Sequence, residues 1–234
     1  MLAGLVKGDS AATAHARRLG RRVVAKELRD SVFSRSLDVG LRCDLSRLPS
    51  PKEAAIRLRM EPCTTEFNGF EAELERTTGD DYGLVLRRKR LHDLGVRTLH
   101  VAWDVAGEPV YVQWLITAKD HESLDAVAVD YWPRLSSEET LLEFAYTFIA
   151  FRGMGVMTDA MGRLLRIAAT QGASVAYTYV GVDNIASLRG CARVGFTLDH
   201  MREASTKMAL RRSSIRAPSP AEREAWDRAT APRA

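Results

Sequence analysis

The 234-residue sequence predicts a mixed α/β fold in which antiparallel strands continue into a parallel pair. Three observations carry this. The runs LHVAWDV and VYVQWLI alternate with period 2 and are joined by AGEP, a hairpin signature. Residues 140–182 read as strand, helix and strand at lengths that suit a parallel crossover. With 46% hydrophobic and 27% charged residues, the chain can bury one sizeable core with appendages, and two full domains would be crowded.

Residues 1–52 read as an arm: a polar, arginine-rich helical stretch over 9–35, then the briefly alternating DVGLRCDLSRLPSP, which ends in a Pro-flanked turn at Ser50. AAIRLRMEP alternates as a strand. TTEFNGFEAELERT, with Thr65 as N-cap, predicts a helix despite Gly69, and DYGLVLRRKRLHDLG predicts a second, ending at Gly95. The hairpin follows, and 121–139, with Pro133 and paired serines, reads as a surface excursion. TLLEFAYTFIAF predicts a buried strand. GVMTDAMGRLLRIAATQ sets Met161, Leu164, Leu165 and Ala168 at helical spacing and stops at Gly172. SVAYTYVGV is the next strand, and NIASLRGCARVGF a short helix that breaks at Gly195 and hands over to a strand at Phe196. The Pro-, Ala- and Arg-rich run 213–234 predicts a disordered tail.

No apolar run approaches the roughly 20 residues that span a bilayer, so a soluble, unprocessed, cytoplasmic protein without a membrane partner is expected. Cys43, Cys63 and Cys191 lie far apart with no CxxC pair, which predicts free thiols and no metal site. The net charge of +4 is concentrated in ARRLGRRVVAK and LRRKRLH. Such clusters suit an anionic partner or are solvated helix faces. The aromatic platform of single-strand nucleic-acid binders is missing from them.

The stretch FRGMGVMTD lies between a buried strand and a helix. Its glycines leave backbone N–H groups of Gly153, Met154, Gly155, Val156 and Met157 free at a helix start, which suits a phosphate or pyrophosphate. Arg152 adds positive charge and Thr158 a hydroxyl; a tight strand-to-helix turn would use the same residues. A P-loop is excluded by the lack of lysine. A dinucleotide fingerprint fits poorly, because Thr158 replaces its third small residue and Asp183 lies 30 residues beyond Gly153. The pattern Arg/Gln-x-x-Gly-x-Gly/Ala is matched by Arg152 and Gly155, with Met157 at the small position.

Arg152-Gly-Met-Gly155-Val-Met-Thr158 resembles the pyrophosphate-binding loop of the GNAT N-acetyltransferase superfamily, and Asn184-x-x-Ser187-x-x-x-Cys191-x-x-x-Gly195-Phe196 resembles its next motif. The order of elements agrees over residues 53–210. The resemblance implies a GNAT-fold domain over 53–212: a mixed central sheet with antiparallel N-terminal strands and a splayed parallel pair, flanked by helices. It implies no tightly bound cofactor and, as co-substrate, an acyl-CoA or acyl-phosphopantetheine on an acyl carrier protein. The arm would lie between the splayed strands, pairing with Ala145 and Thr147. The pyrophosphate would sit on the amides of 153–158, with Asn184 and Ser187 opposite. The acceptor would be a small-molecule amine, and the basic clusters would suit an acidic carrier protein.

The family mechanism needs a base near the strand and an acid near the short helix. Glu143, a carboxylate inside an apolar strand, is the base candidate; it also reads as a strand-edge carboxylate paired with an arginine. Tyr146, Tyr177, Tyr179 and His200 are reserves. At 191 the family places a tyrosine acid, and here Cys191 stands as proton donor, as room for a bulky acyl group, or as nucleophile. The rival readings are a non-catalytic pantetheine sensor, a basic nucleic-acid-binding adaptor and an aminoacyl-tRNA-dependent transferase.

Overall fold

The structure, a computed structural model, describes residues 33–64, 66–122, 124, 133–207 and 210–231. The helical stretch expected before 33, the N-cap assigned to Thr65 and most of the excursion at 121–139 lie outside these residues.

The elements run β1 (Phe33–Asp44), β2 (Arg59–Pro62), α1 (Gly69–Arg76), α2 (Gly79–Asp93), β3 (Leu99–Trp103), β4 (Pro109–Thr117), β5 (Glu139–Thr147), α3 (Val156–Thr170), β6 (Val175–Gly181), α4 (Ile185–Arg193), β7 (Thr197–Lys207), β8 (Leu210–Arg216) and α5 (Pro220–Thr230). All strands join one sheet in the order β2-β3-β4-β5-β6-β1-β7-β8. Among the described strands only β5 and β6 pair in parallel, as the crossover through α3 requires.

Two expectations are corrected. The boundary at residue 52 cuts off β1, which is no arm: it lies inside the sheet, antiparallel to β6 on one side and to β7 on the other. Its alternation was visible only from Asp38 to Asp44, whereas pairing with β7 extends it back to Phe33. The tail read as disordered is strand and helix as far as Thr230. Ser219 and Glu222 form a reciprocal capping box with Pro220 at the first turn, which is a sufficient start signal for α5. Trp226 packs against the core, and Arg189 of α4 donates to the Ala229 carbonyl at 2.7 Å.

One face of the sheet carries α3 and α4. Alternate residues such as Leu41, Leu115 and Leu142 meet Met161, Leu164, Leu165 and Leu188 there, and the four apolar positions foreseen on α3 are all buried. The opposite face carries α1 and α2, which bury Phe70, Val85 and Leu91 against Trp114, Ile116 and Leu141. Each such side chain contributes about 1.5–3 kcal/mol by leaving water. No helix among the described residues is long and apolar enough to cross a membrane.

Candidate active site

The site begins where β5 and β6 part. They pair only at Glu139↔Val175, Thr140↔Ala176 and Leu141↔Tyr177. On its other side β5 follows β4 as far as Glu143↔Trp114, then resumes at Tyr146↔Val112, so Phe144 and Ala145 together oppose Gln113. This is a β-bulge, and Phe144 takes a φ of 58° to make it, a strained value for a side-chain-bearing residue. The bulge turns two carbonyls off the ladder, and Arg88 of α2 takes both, donating to Phe144 O at 2.8 Å and Ala145 O at 2.7 Å. Arg88 touches solvent through the cavity it lines, yet its guanidinium is packed among protein atoms, and that burial lowers its pKa to about 10. It remains charged at neutral pH.

Beyond β5 the chain turns through Gly153 and Gly155, with φ of 80° and 76°. Gly155 is the N-cap of α3, in the left-handed region that a side chain disfavours. The turn is tied down from outside: Ala55 donates to Met154 O at 2.8 Å, and the buried Asp159 accepts from the Ala54 N–H at 3.0 Å and from Arg163 at 2.6 Å. The first-turn N–H groups of α3 lack partners within the helix and carry its positive dipole end.

Parted strands and glycine turn enclose a cavity of about 480 Å³. Ala145 and Thr147 form one wall, and Asn184 and Ser187 the other. Arg152, Gly153, Gly155, Val156, Met157 and Thr158 close the end. Met154 is not brought in; its side chain is exposed outside the lining. Arg152 is not a free charge either, because Asp81 holds it at 2.6 Å and 3.1 Å. The Asn184 oxygen caps α4, accepting from Ser187 N at 3.2 Å. Met157 lies against Gly190, where a Cβ would come within 2.5 Å of its methyl carbon.

Glu143 stands one step deeper than the bulge. Its Oε1 accepts from the Tyr179 N–H at 2.9 Å, bridging β5 to β6 just where their own ladder has stopped. Burial raises its pKa to about 7, against the opposing pull of Arg202 and the Tyr179 N–H. Among the described residues Glu143 is in no ion pair with an arginine; Arg202 binds Asp38 at 2.9 Å and lies 3.6 Å above the Tyr179 ring. Tyr177, Tyr179 and His200 share the sheet face remote from α3. His200 is held between Asp199 at 2.8 Å and the Tyr179 hydroxyl at 3.3 Å, and its ring packs so closely on Gly40 that a Cβ there would collide with it. Tyr146 lines the cavity, but its hydroxyl is committed: it donates to the buried Glu73 at 2.9 Å, and burial followed by that bond raises its pKa.

Cys191 is not at the cavity. It is 1% exposed in the core, with Sγ 3.9 Å from Met161 Sδ, and burial pushes its pKa up to about 12. A thiol so placed is absent from the cavity lining and keeps its proton at neutral pH, which speaks against the nucleophile reading. Its small size remains relevant to the fit of its neighbours. Sequence reading missed two lining residues: Arg88, absorbed into a surface-charge cluster, and Tyr111, absorbed into a strand pattern. Arg88 alone left a signal, standing in line with Leu84 and Leu91 on the inward side of α2.

No protein-family model and no curated protein matches the sequence. Solved structures do. A GCN5-related glucosamine N-acetyltransferase region of a fungal multi-domain GH3 β-N-acetylglucosaminidase superimposes with a TM-score of 0.54 at 16% identity, over 86% of this chain and 23% of that one. A GNAT-family acetyltransferase from Colwellia psychrerythraea aligns at TM-score 0.49 and 16% identity over 80% of this chain and 61% of that chain. A GCN5-related N-acetyltransferase from Sphaerobacter thermophilus aligns at 0.46 and 11%, over 86% and 58% respectively. The chain thus spans less than two thirds of the length of each. At these identities the likeness, carried by the first of the three, is one of fold.

Proposed function

We propose that this chain, which has the fold of the GCN5-related N-acetyltransferases, is an enzyme that moves an acyl group from a phosphopantetheine thioester to an amine. The observation that supports this most is the cavity between the parted β5 and β6, closed at one end by the Gly155 turn and the start of α3. An extended arm fits between two strands that have ceased to pair, and its phosphate end meets amides that lack helical partners. Ala145 and Thr147 border the arm, Asn184 and Ser187 face it, and Gly153 with 155–158 receive the pyrophosphate.

Acyl-CoA is the donor that uses most of the surface. Arg193 lines this cavity and also a second one of about 230 Å³, which Lys52 and Arg166 share, so phosphate charge beyond the pyrophosphate has basic side chains to meet. A carrier-bound arm would leave that second cavity unused. The amine approaches from the face that carries Tyr177, Tyr179 and His200. With Oε1 held by Tyr179, Glu143 takes the amine proton on Oε2, and a pKa of about 7 suits that exchange near neutral pH.

Isothermal titration of CoA and of pantetheine, followed by thiol release from acetyl-CoA in the presence of primary amines, tests this. The expected result is CoA binding tighter than pantetheine, and turnover that needs the amine. Absence of binding by both would overturn it.

A further inference from the structure

Beside the cavity lies a polar pair with hydrogens to spare: Tyr111 lines the cavity, and Gln113 stands behind that wall. Tyr111 and Gln113 stand two residues apart on β4, on the face toward α3, and neither is exposed to solvent (0%). The Tyr111 ring lines the cavity, and its hydroxyl donates to Gln113 Oε1 at 2.7 Å. Gln113 Nε2 has no hydrogen-bond partner among the described residues. Phenol and amide together carry three hydrogens, and their mutual bond uses one. Turning the amide end for end would let Nε2 donate to the phenol and free the Tyr111 O–H instead, so the pair offers an unused donor in either arrangement. Folded interiors keep few donors without acceptors, because each forfeits its bond to water. A donor kept in that condition suits an acceptor that arrives with a ligand.

The strand register sets the depth of this donor. Tyr111 is opposite Thr147, beside the outer part of the cavity, and Trp114 is opposite Glu143. Gln113 falls between, opposite the bulge. An arm running inward past Thr147 and Ala145 brings its thioester to the level of Gln113, one step short of Glu143.

We infer that Gln113, held by Tyr111, donates a hydrogen bond to the thioester carbonyl oxygen and to the oxyanion it becomes; this rests on the acyltransferase reading above. The amine nitrogen attacks the carbonyl carbon, a C–N bond forms, and the C=O π pair moves onto the oxygen facing Gln113. Glu143 takes the amine proton. When the C–S bond breaks, its electron pair leaves on sulfur and the C=O re-forms, giving amide and thiolate, which picks up a proton from the medium. A donor fixed beforehand at the developing charge stabilises the transition state more than the ground state.

The test uses the full chain with acetyl-CoA and hydroxylamine as the amine. Gln113→Glu and the paired variant Tyr111→Phe/Gln113→Leu, which removes both polar ends together, are compared with wild type for kcat, KM, CoA affinity and Tm. The expected result is a loss of about 10²–10³-fold in kcat, with KM and CoA affinity within about threefold. The Tm of the paired variant should be unchanged or higher, since its unpartnered amide is gone. Either of two results overturns the inference: a paired variant that keeps kcat within about threefold, or one that loses kcat only with a fallen Tm and lost CoA binding, which marks a residue of the fold. Wild type that binds CoA but turns over no thioester with any amine would overturn the acyltransferase reading first, and this inference with it.

Discussion

Glu143 bridges β5 to β6 and is also the proposed base, and these two duties can be separated by pH. An unfolded glutamate titrates near 4.5, whereas here burial holds the pKa at about 7. Between those values the folded state binds the extra proton, so stability falls as pH rises from 4.5 through 7. A shift of this size corresponds to about 3 kcal/mol at most. Glu143→Gln should therefore be more stable than wild type at pH 8, by on the order of 1–3 kcal/mol, with no gain at pH 4.5; urea denaturation at the two pH values measures this. Activity should move the other way. Wild-type kcat/KM should climb through pH 7, and the variant should be slow at pH 7 and recover as the amine deprotonates by itself. A variant loss independent of pH would make Glu143 a positioning residue. Cys191→Ala, by contrast, should leave kcat within about threefold while costing roughly 1–2 kcal/mol of stability, the ordinary result of shortening a core side chain.

The glycine turn was legible in the sequence because two glycines between a strand and a helix have a backbone task to perform, and the positive φ at both shows it. Gly155→Ala should cost about 1–2 kcal/mol for placing a Cβ in the left-handed region, and CoA affinity should drop with it; titration and thermal melts measure the two separately. α5 was hidden by composition. Its Pro, Ala and Arg content reads as disorder, while the capping box that starts it depends on two residues, Ser219 and Glu222. Ser219→Ala should lower stability by about 1 kcal/mol in urea unfolding. Arg88 and Gln113 were not legible for another reason. Arg88 acquires its purpose from carbonyls on β5 that only a bulge exposes, and Gln113 from a phenol and a cavity that exist only after β4 has paired. Cys191 stands where the motif predicts, but which way a short helix turns its side chains depends on the sheet beneath it.

At the scale of the molecule, one strand holds two halves of the sheet together. β1 lies between β6 and β7, so removing residues 1–45 strips both of their shared neighbour and opens the core around Leu41 and Cys43. Such a truncation should show no cooperative thermal transition by circular dichroism; a cooperative melt would mean that the remaining strands close on each other. Asp38 pairs with Gly181 and with Arg202, partners far downstream in the sequence. During synthesis at 5–20 residues per second, roughly 7–30 s separate translation of Asp38 from that of Gly181. β1 is thus obliged to wait for its neighbours with its backbone donors and acceptors unspent. Until then β5 and β6 have no closed sheet to part from, and the proposed donor cavity cannot form: competence to bind an acyl donor should appear only once β6 and β7 have both been made.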